Sequence, residues 1–177
     1  MKKTLRLIFI IILIIVCGFF ICGVSIEQSY KEKECTMENV YQAILLCNIS
    51  NPHVVFAQLF IESGAFKSKL AKNNNNLAGM RCPNKRETTA VGNKNGYAYY
   101  LDWFSSITDY FLYQKNLIGI NKLNDKQYLA KLSKKYAKDP SYKKKITLKM
   151  KRPEIIEFYR VQDSIFNSKK QGEVVLN

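Results

Sequence analysis

Residues 60–64 read Phe60-Ile61-Glu62-Ser63-Gly64. A carboxylate closes an apolar run and a glycine follows two residues later. At the C-terminal end of a helix, such a group meets the negative end of the macrodipole, and apolar neighbours strip it of water. Both effects disfavour ionisation. Glu62 is therefore placed to keep its proton near neutrality, as an acid must if it is to protonate the departing oxygen of a glycosidic bond. The competing reading is a solvent-facing glutamate that merely ends a helix. Other chemistries find less support. The one histidine, His53, falls in the first turn of an apolar helix with no nucleophile paired to it in sequence, and reads as a surface or packing residue. No two cysteines have CxxC spacing, so neither a metal site nor a cofactor is expected.

The elements that must position Glu62 follow from periodicity and caps. Thr36 reads as an N-cap for a helix reaching Cys47, with Val40, Tyr41, Ile44 and Leu45 on its apolar stripe. Asn51-Pro52 restarts a helix, asparagine as cap and proline at the first helical position. That helix, Pro52 to Ser63, is apolar nearly all round and belongs in the middle of a domain, ending at Gly64. Residues 65–102 are rich in Asn, Gly and Pro. Within them Thr88–Val91 and Tyr97–Tyr100 read as strands of an irregular hairpin joined by Gly92–Gly96. Asp102 caps a helix over Trp103–Ile118, Asn124 or Asp125 opens another, Asp139-Pro140 a third, and Pro153–Phe166 a last one before a frayed tail. The expected fold class is mainly α (α+β), a helical domain with a small β-hairpin lobe. Glu62 sits at the junction of the two.

The chain has 177 residues and a net charge of +14. Its start, Met1-Lys2-Lys3-Thr4-Leu5-Arg6, is basic, and Leu7–Val24 carries no charge. That is the pattern of a signal peptide or membrane anchor over residues 1–25, retained or cleaved near Ser25, with the rest of the chain exported. The remainder is one domain in size, read as 34–152 with an extension over 153–177. All 14 acidic residues and 25 of the 28 basic ones fall after residue 25, so the exported part is still strongly basic. It suits an anionic surround, a wall polymer or a membrane surface, and export argues against nucleic acid. Cys35 and Cys47 flank about 18 Å of helix and are not expected to bridge while that helix stands, so any disulfide is expected to include Cys82; all three reduced is equally open.

Five blocks in order resemble the bacterial peptidoglycan N-acetylglucosaminidases of glycoside hydrolase family 73. They are Gln58-Leu59-Phe60-Ile61-Glu62-Ser63-Gly64, Asn75-Asn76-Leu77-Ala78-Gly79-Met80-Arg81, Gly96-Tyr97-Ala98-Tyr99-Tyr100 with Trp103, Ser106–Tyr110, and Tyr128 through Tyr136 to Tyr142. The resemblance covers roughly residues 36–150 and implies a lysozyme-like fold acting on peptidoglycan glycan strands. It makes Glu62 the general acid and places Asn76, Tyr97 and Tyr100 along the cleft, with Tyr100 near the reacting sugar. Trp103 is weighed as a sugar platform against a core residue. Where many members carry a second carboxylate this chain has Ala90, and Glu87 is the nearest substitute as base. Ala78 stands where the family has phenylalanine. Cleavage after N-acetylglucosamine is the leading expectation. A muramidase or lytic transglycosylase, which work with one acid, and a non-catalytic wall-binding protein are the rivals. Lys143-Lys144-Lys145 reads as a solvated helix face with a secondary part in holding anionic polymer.

Overall fold

The computed structural model describes residues 27–118, 123–136 and 139–175. The apolar segment over 1–25 lies outside them, and among the described residues no helix is long and apolar enough to cross a membrane. Residues 27–34 belong to a unit separate from the rest, are helical over 27–31 and carry a Glu27–Lys31 pair at 2.9 Å.

The second unit is mainly helical with one two-stranded sheet. Its elements are α1 (Met37–Leu46), α2 (Pro52–Glu62), α3 (Lys69–Asn74), β1 (Gly92–Lys94), β2 (Tyr97–Tyr99), α4 (Trp103–Tyr113) with a π-helical turn over Gln114–Ile118, α5 (Asp125–Tyr136), α6 (Tyr142–Met150) and α7 (Pro153–Val175). α2 is the axis of the packing. Its side chains from Val54 to Leu59 are buried, and each large one removed from water contributes on the order of 1.5–3 kcal/mol. α1, α5 and α6 pack against it.

Several helix starts are set by side chains. Thr36 accepts from the amide of Asn39 at 3.2 Å and Asp102 from that of Ser105 at 2.7 Å. Asn124 and Gln127 cap α5 reciprocally, at 3.0 and 3.1 Å. Asn51 does not cap α2 as its type suggests. Its φ of +56° turns the side chain away, and its amide instead reaches the Leu123 carbonyl (3.0 Å) and the Asp125 carboxylate (2.8 Å), tying the start of α2 to that of α5.

Several elements differ from the sequence reading: α3 falls in a stretch read as turns and strands, the regular part of α4 ends at Tyr113, and α6 begins at Tyr142 rather than at Asp139-Pro140. The hairpin turn is the two-residue Asn95-Gly96, both at positive φ, so β1 begins at Gly92 rather than ending before it. Such a turn matches the twist of paired strands better than a five-residue connector. Thr88–Ala90 is irregular because its polar groups bond elsewhere, Thr89 Oγ1 donating to the Ser105 carbonyl at 2.6 Å. The last helix runs to Val175 rather than stopping at Phe166. Its first half is docked on α1 and the start of α2: Tyr41 of α1 donates to Asp163 (2.7 Å), Gln42 of α1 to the Gln162 carbonyl (2.9 Å), and Tyr159 to the carbonyl of His53 on α2 (2.9 Å). His53 is a packing residue here, its ring stacked on Tyr159 at 4.3 Å. Cys35, Cys47 and Cys82 are all free thiols.

Candidate active site

Glu62 is the last residue of α2, and the chain leaves the helix immediately after it. The exit is a Schellman motif. The Ala65 amide bonds the Phe60 carbonyl at 2.8 Å and the Gly64 amide bonds that of Ile61 at 3.2 Å. Ser63 fixes the same turn from its side chain, donating to the Leu59 carbonyl (2.6 Å) and accepting from the Phe66 amide (2.8 Å). Gly64, Ala65 and Phe66 all have positive φ, which disfavours the two non-glycine residues. Phe66 offsets this by burying its ring against Phe56 and Phe60. The order Glu-Ser-Gly thus places an acid on the final helical turn and locks the turn behind it.

The carboxyl group of Glu62 is half-buried. Burial pushes its pKa above the usual glutamate range. The Tyr142 hydroxyl and the Lys145 charge, both from α6, act in the opposite direction. Lys145 is itself held at 2.7 Å by Asp139, whose carboxyl Lys145 and Ser141 keep down at about 2. From the other direction the loop after α3 closes in: a Cβ built on Gly79, which has φ +65°, would lie 4.0 Å from Glu62 Oε2.

That loop is held by asparagines used as backbone surrogates. Asn76 is buried. Its amide nitrogen donates to the carbonyls of Met80 (2.8 Å) and Ala98 (2.9 Å), and its oxygen accepts from the Met80 amide (3.0 Å). Asn74 reaches the Lys94 carbonyl at 3.1 Å, and Asn75 reaches the carbonyls of Tyr100 and Leu101, both at 3.0 Å. Three consecutive side chains therefore fasten the β-hairpin to α3.

A second anchor lies on α4. Asp109 has 0% side-chain exposure and takes a forked pair from Arg86, at 2.6 and 3.0 Å. The Tyr100 hydroxyl donates to it at 2.7 Å. Arg86 also bonds the Glu87 carbonyl at 2.7 Å. The irregular strand before the hairpin and the residue just past β2 thus share one buried carboxylate.

The expected site residues fall into separate places. Glu62 faces Tyr142, with Gly79 alongside. Asn76 and Tyr100 are interior, their polar atoms engaged by the protein. Trp103 is 6% exposed at the start of α4. Glu87 and Tyr97 are exposed on the β lobe. Tyr142, Arg86 and Asp109 are not site residues in the sequence reading, and Lys145 is there only part of a solvated helix face. Tyr142 closes the last matching block, and Asp109 is an acid adjoining core residues of an amphipathic helix, a signal that was there to be read.

A family model described as mannosyl-glycoprotein endo-beta-N-acetylglucosaminidase matches residues 38–154. A stretch of 49 residues is 47% identical to Protein bax of Escherichia coli (strain K12), covering 28% of this chain and 18% of that protein, so the chain spans less than a fifth of this relative's length. The chain is also similar to the catalytic domain of the autolysin Auto from Listeria monocytogenes, with a TM-score of 0.47 and 21% identity over 74% of this chain and 89% of that one.

Proposed function

The chain belongs to the glucosaminidase family and is a glycoside hydrolase, and from that premise we propose that it cleaves the β-1,4 bond after N-acetylglucosamine in peptidoglycan, with Glu62 as the general acid. The observation that carries the proposal is the carboxyl at the end of α2, half-buried and with its pKa raised by burial. A neutral acid donates its proton to the leaving oxygen as the bond breaks, and the oxocarbenium-like centre is then captured by water. Tyr142 orients the acid and restrains its pKa from rising further. Asn76, Tyr100 and Asp109 act behind the site, holding the loop that brings Gly79 to the acid. Glu87 and Tyr97 are the groups on the β lobe that remain open to substrate, Glu87 to direct the water and Tyr97 to stack on a sugar face. Trp103 supports α4 from the core. The active domain is residues 34–152, exported behind the 1–25 segment and working at the cell wall.

A single-acid reading, a muramidase or lytic transglycosylase, is favoured by one observation: Ala90 stands where the resemblance places a second carboxylate. Digestion of purified peptidoglycan followed by mass spectrometry separates these. Reducing N-acetylglucosamine ends from wild type, and none from Glu62→Gln, are expected. Anhydro-muramyl ends would transfer the assignment to a transglycosylase, and undiminished release by Glu62→Gln would remove the acid from its role.

A further inference from the structure

Beside the acid, on the flank of α2's last turn, lies a groove of about 500 Å³. Phe60, Ile61 and Leu148 give it an apolar lining, and Lys145, Lys149 and Arg152 a cationic one. Ile61 and Gly64 bracket Glu62 in sequence and both line the groove, while Lys145 lines it and also acts on the Glu62 charge. Groove and acid therefore share one turn of helix and one lysine.

We propose that this groove is a subsite for the acidic peptide substituent of the glycan strand, so that the enzyme reads peptide as well as sugar. The inference rests on the glycan-hydrolase reading above. Three features select this occupant. Among the described residues no acidic one lines the groove; Asp139 and Glu154 pair with Lys145 (2.7 Å) and Arg152 (3.8 Å) from outside it. The Lys149 ammonium sits 3.7 Å over the Phe60 ring, a cation held at an apolar surface rather than free in water. A short peptide with methyl side chains and carboxylates matches a lining both apolar and cationic, whereas a phosphodiester polymer supplies the charge without the apolar part. The adjacency to Glu62 means that a strand laid across the acid has its substituent within reach.

The experiment compares the full-length protein on two substrates: glycan strands with their peptides, and the same strands stripped by an amidase. Lys149→Gln with Arg152→Gln is the test variant. Lys169→Gln with Lys170→Gln, exposed on α7 and matched in charge, is the control. On peptide-bearing strands the test variant is expected to lose about tenfold in kcat/KM, the product of two exposed ion pairs each worth a few-fold. On stripped strands it should equal wild type, and the control should equal wild type on both. Equal losses on both substrates, or full activity of the test variant on peptide-bearing strands, would overturn the subsite while leaving the hydrolase intact. Wild type cutting neither substrate would instead sink the hydrolase reading, and the subsite with it. A soluble muramyl peptide titrated into Glu62→Gln protein gives a second readout, since binding must weaken when Lys149 and Arg152 are replaced.

Discussion

Replacing Asn76 discriminates a frame residue from a sugar contact. Asn76→Ala deletes two donations, to Met80 and Ala98, and leaves the buried Met80 amide with no acceptor from this side chain. The Met80 carbonyl keeps the Ala98 amide at 2.9 Å, so the loss is partial there. With roughly 1 kcal/mol for each lost bond and at least ~1 for the orphaned donor, the domain should lose about 3 kcal/mol. At this size that lowers Tm by about 6–12 °C. Asn76→Asp is nearly isosteric, yet it should be as damaging or worse, because a carboxylate oxygen would face two carbonyl oxygens. Thermal melts by circular dichroism, run beside a soluble-substrate assay, measure both effects. The Gly79 loop should loosen against Glu62, so kcat is expected to fall together with Tm. A variant with wild-type Tm but a raised KM would refute the argument and put Asn76 on the substrate instead.

Asp109→Ala should destabilise by about 3–5 kcal/mol, because it strands the buried Arg86 charge and the Tyr100 hydroxyl; Asp109→Leu with Arg86→Met should recover much of this in urea titrations. If Asp109→Ala alone costs less than about 1 kcal/mol, the pair is not dry in solution. The Glu62 acid works protonated, so activity must fall as pH rises through its pKa, and burial moves that fall above the ordinary glutamate range. Lys145→Met removes a charge that lowers this pKa, so the alkaline limb of kcat/KM should move to higher pH. A limb that stays fixed or moves down would contradict the assignment of Glu62 as the titrating acid.

The helix carrying the acid was legible because its signals are local. Pro52, the all-round apolar run and Gly64 specify α2 and its end, and the raised pKa follows from an acid placed among apolar neighbours. The hairpin was legible as an element, while its register was not, since Asn95-Gly96 needs both positive φ values to act as a two-residue turn and neighbouring glycines obscured which pair it was. Asn75 reads as a turn former and Asn76 as a cleft residue, yet their amides serve carbonyls more than twenty residues away, and nothing local announces such partners. Tyr100 was placed near the sugar by analogy of position. In an extended segment Tyr100 faces the side opposite Tyr97 and Tyr99, and the structure makes that side the interior, with Asp109 as the polar group that a buried hydroxyl requires. Tyr142 comes to Glu62 through the packing of α6 on α2, a long-range contact that periodicity does not encode.

The two fixed ends of α2 constrain how this chain can change length. At its start Asn51 is tied to α5, and at its finish the Schellman turn and Ser63 set where the helix stops. One inserted residue between them would swing Glu62 about 100° around the axis, away from Tyr142 and Gly79, and would rotate a fully buried surface with it. Insertions and deletions are therefore barred from residues 52–62, however conservative their composition. The exposed hairpin tip, residues 93–97, carries no such phase relation to the acid. Length variation among proteins built on this plan should accumulate there, where it can reshape the β lobe without moving Glu62 itself.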